Sequence, residues 1–303
     1  MHGAGAGDRG RAVGCRWRMS FTEHVLPMQC EGEVLLGMLS QPDRASKLGV
    51  IVVVGGPQYR VGSHRQFVLL ARCLASAGHP VLRFDYRGMG DSGGAVQSFE
   101  AVEDDIATAV DALQAACPEV KRVVLWGLCD GASASVLYCG ATHDVRVAGL
   151  CLLNPWVRSD ATLARTHLKH YYTSRLFEAA FWRKLLFGKI GWKRAITDFA
   201  GNIKNSRGQA KMNTQVEPFQ TRMATALRHF SGSILLLLSA EDYTAKEFIE
   251  CAGSDPLWRG ILERTDLQKI EIEGADHTFS KQQCRVETEQ AVLKWMANLT
   301  EAA

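Results

Sequence analysis

The feature that most constrains this chain is a short apolar run, Val123-Val124-Leu125-Trp126, that leads directly into Gly127-Leu128-Cys129-Asp130-Gly131. An Ala- and Ser-rich stretch follows at once from Ala132. Read physically, this is a buried strand, a tight turn with glycines on both flanks, and a helix that begins without a linker. The turn has to be crowded, and the residue at its apex strained. Glycine is the residue that tolerates such close backbone approach. The apex residue is Cys129. It sits where the free N–H groups of a helix N-terminus favour a thiolate over a thiol.

The same strand–helix alternation runs through most of the 303 residues. Candidate strands lie at 23–28, 34–40, 50–54, 80–85, 123–126, 147–153, 233–238 and 267–272. Helical patterns lie at 65–77, 99–116, after Cys129, and at 287–299. Strands alternating with helices from residue 50 onward predict an α/β fold, with a mostly parallel central sheet flanked by helices. No apolar run reaches the roughly 18 to 20 residues of a membrane span. Residues 157–232 differ in composition. They hold a cluster of aromatics and a surplus of ten positive charges, fourteen Lys and Arg against four Asp and Glu, in a chain whose total is +3. That asymmetry predicts an inserted helical cap over the C-terminal edge of the sheet. The expected organisation is a disordered extension over 1–18, a core over 19–156, the cap over 157–232, and the rest of the core over 233–303.

Residues 1–18 are rich in Gly and Arg and lack the apolar stretch of a secretory signal. The nine cysteines are odd in number and show no CxxC spacing, so neither a disulfide framework nor a zinc site is expected. A cytoplasmic location follows as the default.

A literal Gly-x-Ser-x-Gly match occurs elsewhere, at Gly90-Asp91-Ser92-Gly93-Gly94. Six loop residues separate Ser92 from the strand that ends at Asp85, and no helix follows Gly94 directly. Ser92 is therefore expected to belong to a structural loop, tied down by Asp85 and Arg87. The partners of a nucleophile on such a turn should follow in the order acid, then histidine. The 233–238 strand leads to Ser239-Ala240-Glu241-Asp242, which offers Asp242, with Glu241 as alternate. The last strand leads to Gly274-Ala275-Asp276-His277, which offers His277 as general base. Catalytic groups in open α/β sheets gather at this edge.

An oxyanion would take one hydrogen bond from the amide of Asp130 and a second from the loop after the 50–54 strand. Pro57 has no N–H to give, which leaves Gly56, or else Gln58. Arg60, His64 and Arg65 either line a pocket or are solvated.

Taken in order, the run from Gly55 to Phe67 (GGPQYRVGSHRQF), the loop from Asp85 to Ser92, the Cys129 turn and Gly274-Ala275-Asp276-His277 resemble the α/β-hydrolase superfamily. More narrowly, they resemble the exosortase A system-associated hydrolase 1 family, over about 21–299. The chain is also similar to dienelactone hydrolases, which use a cysteine in the same turn. Members of the narrower family usually carry alanine where this chain has Gly131; glycine is the general superfamily residue there. The resemblance implies a bacterial enzyme encoded with exopolysaccharide and exosortase machinery. The expected chemistry is ester or thioester hydrolysis through Cys129, His277 and Asp242, with no cofactor or metal. The basic cap suits an anionic or amphiphilic acyl donor such as an acyl-CoA, an acyl carrier protein, a phospholipid or an acidic glycan. The alternatives are acyl transfer to a sugar or lipid acceptor, a weakly catalytic binding role in a polysaccharide assembly complex, and peripheral membrane contact through an interfacial helix at 177–192. Nucleic-acid binding is not expected, because no recognition motif accompanies the basic stretch.

Overall fold

The structure, a computed structural model, describes residues 20–55, 58–158 and 217–301. The chain divides into two compact units, Met1–Trp156 with Arg222–Ala303, and Val157–Thr221. Most of the expected cap thus lies outside the described residues. The larger unit resumes at Arg222 rather than at 233. Residues 222–229 carry the basic character of the interval yet bury Met223, Ala224, Ala226 and Leu227.

The larger unit is built on one eight-stranded sheet. Its strands are β1 (Phe21–Cys30), β2 (Glu33–Pro42), β3 (Leu48–Val53), β4 (Val81–Asp85), β5 (Arg122–Leu128), β6 (Val147–Leu153), β7 (Ser233–Ser239) and β8 (Leu267–Ile272). Their spatial order is β1-β2-β4-β3-β5-β6-β7-β8. β1 and β2 form a hairpin whose two turn residues, Glu31 and Gly32, have φ of 50° and 81°. That is the sign pattern a two-residue hairpin needs to match strand twist. β2 also runs antiparallel to β4, and every pair from β4 through β8 is parallel. The expected mostly parallel sheet is therefore present.

The described helices are α1 (Gln66–Ser76), α2 (Glu103–Ala116), α3 (Asp130–Thr142), α4 (Phe219–His229), α5 (Tyr243–Ser254) and α6 (Gln282–Glu301). The central strands are apolar on both faces because helices cover both. On one face Val50, Val52, Val124, Trp126, Cys151 and Leu235 pack with Phe67 and Leu74 of α1 and with Val292, Trp295 and Met296 of α6. Phe67 meets Trp126 edge-on, with ring centroids 5.5 Å apart. α2 and α3 pack against the sheet through strands that include β3 and β5, and they bury Ile106, Val110, Leu113 and Val136. Each such side chain contributes about 1.5–3 kcal/mol relative to exposure. Parallel register brings the strand ends level: Val53 pairs Gly127, Leu128 pairs Leu153, Leu153 pairs Leu237, and Ser239 pairs Ile272. The residues that follow β5, β6, β7 and β8 therefore meet along one edge.

Candidate active site

At the end of β5 the chain turns at Cys129, with φ 59° and ψ −125°, and α3 starts at the next residue. This conformation is costly for any residue with a Cβ, and its surroundings fix it. The Cys129 N–H donates to the Leu153 carbonyl at 2.9 Å. The Cys129 carbonyl accepts from the N–H groups of Ala132, Ser133 and Trp156 at 3.1–3.2 Å. A Cβ on Gly127 would lie 2.5 Å from the backbone of Gly131 and Ala132. A Cβ on Gly131 would run into the Val53 carbonyl. The turn closes only with glycine at both places. The Cys129 side chain makes no capping hydrogen bond to α3, so its sulfur is not committed to the helix.

His277 follows β8. Its Nδ1 lies 2.8 Å from Asp242 Oδ2, and Cys129 is the other side chain that raises its proton affinity. Asp242 and then Cys129 raise the imidazole's proton affinity, against the opposing effect of partial burial, to a pKa of about 10. Asp242 is the N-cap of α5, and its Oδ2 also accepts from the Ala245 N–H at 3.3 Å. The backbone of α5 thus holds the carboxylate toward the ring. Cys129, His277 and Asp242, nominated from three separate strand ends, come together in the predicted order.

Glu241, the alternate acid, is exposed, and the carboxylate on the ring is that of Asp242. The Asp130 amide opens α3, next to the sulfur-bearing residue. Gly56 and Pro57 lie outside the described residues. Gln58 is half-buried, and its Oε1 accepts from the Ser63 N–H at 3.4 Å. His64 and Arg65 are exposed.

Ser92 has the structural role its context predicted. Its hydroxyl donates to the Asp85 carbonyl at 2.5 Å and accepts from the Leu36 N–H at 2.8 Å, which ties the loop to β2 and β4. Arg87 holds the same loop through three hydrogen bonds to the buried Asp105. Arg60 differs from both readings offered for it. Its guanidinium pairs with the buried Asp85 and with Asp91, so it is a loop tie rather than a solvated or pocket-lining cation.

The described cysteines are all free. Burial raises the thiol pKa of Cys117 and of Cys251 to about 11 and that of Cys151 well above the usual range, which leaves them inert as nucleophiles. Cys129 is only half-buried and touches a histidine.

Sequence reasoning missed Asn154, the residue after β6. It is fully buried, with φ 43°. Its Oδ1 accepts from the Ser239 N–H at 2.9 Å, and its Nδ2 donates to Ser239 Oγ at 2.7 Å and to the His277 carbonyl at 3.2 Å. The only local signal was an Asn at a strand end, a residue that tolerates left-handed backbone. Among the described residues, no group of three or more His, Cys, Asp or Glu is placed to hold a metal ion. No helix among them is long and apolar enough to cross a membrane.

A mostly parallel sheet covered by helices on both faces, with a strand-to-helix turn at Cys129, is an α/β architecture. The chain belongs to the Alpha/beta hydrolase family, whose model matches residues 50–288, and it is a hydrolase. No curated relative matches it in sequence. In fold it is similar to the Pyrococcus furiosus esterase Pf2001, at 18% identity and TM-score 0.60, covering 92% of this chain and 93% of that one. It is similar also to DcsB in complex with its substrate analogue, at 16% identity and TM-score 0.61, over 93% and 100%. A third is the dienelactone hydrolase of Anabaena variabilis, at 14% identity and TM-score 0.57, over 92% and 98%. Another similar structure, from Xanthomonas campestris, is described as a serine hydrolase.

Proposed function

We propose that this hydrolase cleaves esters or thioesters through an acyl-cysteine intermediate on Cys129. The observation that carries the reading is His277, hydrogen-bonded on Nδ1 to Asp242, with Cys129 the next group acting on its ring. Asp242 fixes the tautomer and leaves Nε2 for the sulfur. His277 takes the thiol proton, or holds the thiolate already formed as an ion pair, and the thiolate adds to the acyl carbon. The resulting oxyanion accepts hydrogen bonds from the Asp130 amide and, by the sequence argument, from Gly56. Collapse expels the alcohol or thiol, which leaves with the proton from His277. Water, deprotonated by the same imidazole, then releases the carboxylic acid and restores the thiol. A thiolate is a strong nucleophile and a good leaving group, so activated acyl groups suit it better than amides.

A cysteine here departs from the serine named for one similar structure. The reading is supported by the commitment of the Ser92 hydroxyl to backbone and by the approach of the histidine to sulfur. The resemblance of the Gly55–Phe67 run supports an enzyme of a bacterial exopolysaccharide and exosortase system. The positive surplus over 157–232 supports an anionic or amphiphilic acyl donor. Activity of Cys129→Ala and Ser92→Ala toward a p-nitrophenyl ester and an acyl-CoA tests the assignment: loss in the first and retention in the second is expected, and the reverse overturns it. Product analysis with a sugar acceptor present separates hydrolysis from acyl transfer.

A further inference from the structure

Both chain segments that present the His277–Asp242 pair are joined through one buried side chain. Asn154 is anchored on the backbone, its N–H donating to the Leu237 carbonyl at 3.1 Å. Its side-chain amide then grips Ser239 twice and the His277 carbonyl once. Ser239 Oγ continues the chain of bonds by donating to the Asp276 carbonyl at 2.8 Å. The two consecutive carbonyls of Asp276 and His277 are therefore both held, and Ser239 stands three residues before Asp242. Beyond the ring, the Asp276 carboxylate accepts from the Thr278 and Ser280 N–H groups at 3.2 and 2.9 Å, which closes the turn after His277. β6 supplies none of the three nominated residues, yet its first loop residue ties together the two loops that carry His277 and Asp242.

We infer that Asn154, acting with Ser239, is a positioning residue that sets the approach of the His277 imidazole to Asp242 and Cys129. The inference rests on the catalytic reading above for its kinetic consequence but not for its structural one. A fully buried side chain with three satisfied hydrogen bonds, across 85 and 123 residues of sequence, is a geometric constraint rather than a surface contact. Misplacing a catalytic base by about 1 Å costs on the order of 100-fold in rate. The groups that act on the imidazole are Asp242 from the start of α5 and Cys129 from the turn before α3.

Three variants test the clasp. Asn154→Gly keeps the left-handed backbone allowed and removes all three side-chain bonds. Asn154→Asp keeps the acceptor and loses both donated bonds. Ser239→Ala is the mildest, and it remains informative if the first two do not fold. Two readouts are needed: kcat and KM toward a p-nitrophenyl ester, and titration of the His277 ring by NMR. The expected result is a fall in kcat of about 10- to 100-fold with KM changed less than twofold, together with a drop of the His277 titration midpoint toward that of an ordinary histidine. A variant that is folded but less heat-stable, with unchanged kcat and His277 titration, overturns the inference. The NMR readout needs no turnover. If Cys129→Ala retains activity, the catalytic reading fails while the titration still decides the clasp.

Discussion

Replacing Asp242 with Asn tests the electrostatics of the site with little change in shape. Asparagine is as good an N-cap as aspartate, so the bond to Ala245 can persist and only the charge facing His277 is removed. An imidazole whose pKa rises from 6.5 to about 10 implies a gross coupling of about 5 kcal/mol, at ~1.4 kcal/mol per tenfold change in proton affinity. Asp242 is the largest cause and Cys129 the next. The ring is 34% exposed, and solvent screening reduces the share of Asp242 to about 1 kcal/mol. The folded state holds the proton more tightly than the unfolded chain, so this stabilisation is complete below pH 6.5 and is lost as pH rises toward 10. Urea denaturation of both proteins at several pH values is the assay. Asp242→Asn should be less stable by about 1 kcal/mol near pH 6, and the gap should close by about pH 10. A gap that stays constant or widens with pH refutes the reasoning.

Ser92→Ala should lower stability by about 1–3 kcal/mol, because it strands the partly buried Leu36 N–H, while turnover stays at the wild-type level; thermal melting and a steady-state assay read the two effects. Gly127→Ala places a methyl against backbone that cannot rotate away. It should cost at least about 3 kcal/mol or prevent folding, seen as loss of soluble protein or a large fall in Tm.

The strands were legible because central parallel strands must be apolar on both faces, as in Val50-Ile51-Val52-Val53. Helix starts were less so. The 99–116 pattern begins as helix only at Glu103, because the Ala101 N–H bonds to Ser98 in a turn first and the acidic residues 103–105 then fill the first helical turn. The last helix starts at Gln282, ahead of the apolar pattern from 287, where Cys284 is buried. α5 was not read at all, although Asp242 was chosen for its place after a strand: its N-cap role and its chemical candidacy share one carboxylate. Cys129, Asp242 and His277 could be found because each follows a strand and topology sends strand ends to one edge. Asn154 and Arg60 could not, because their partners are set by packing between segments that no local pattern connects.

Intact-protein and peptide mass spectrometry of enzyme quenched during turnover of an activated thioester addresses the Cys129 assignment most directly. One acyl adduct is expected on the peptide bearing Cys129, and none in Cys129→Ala. An adduct on Ser92, or undiminished turnover by Cys129→Ala, contradicts it.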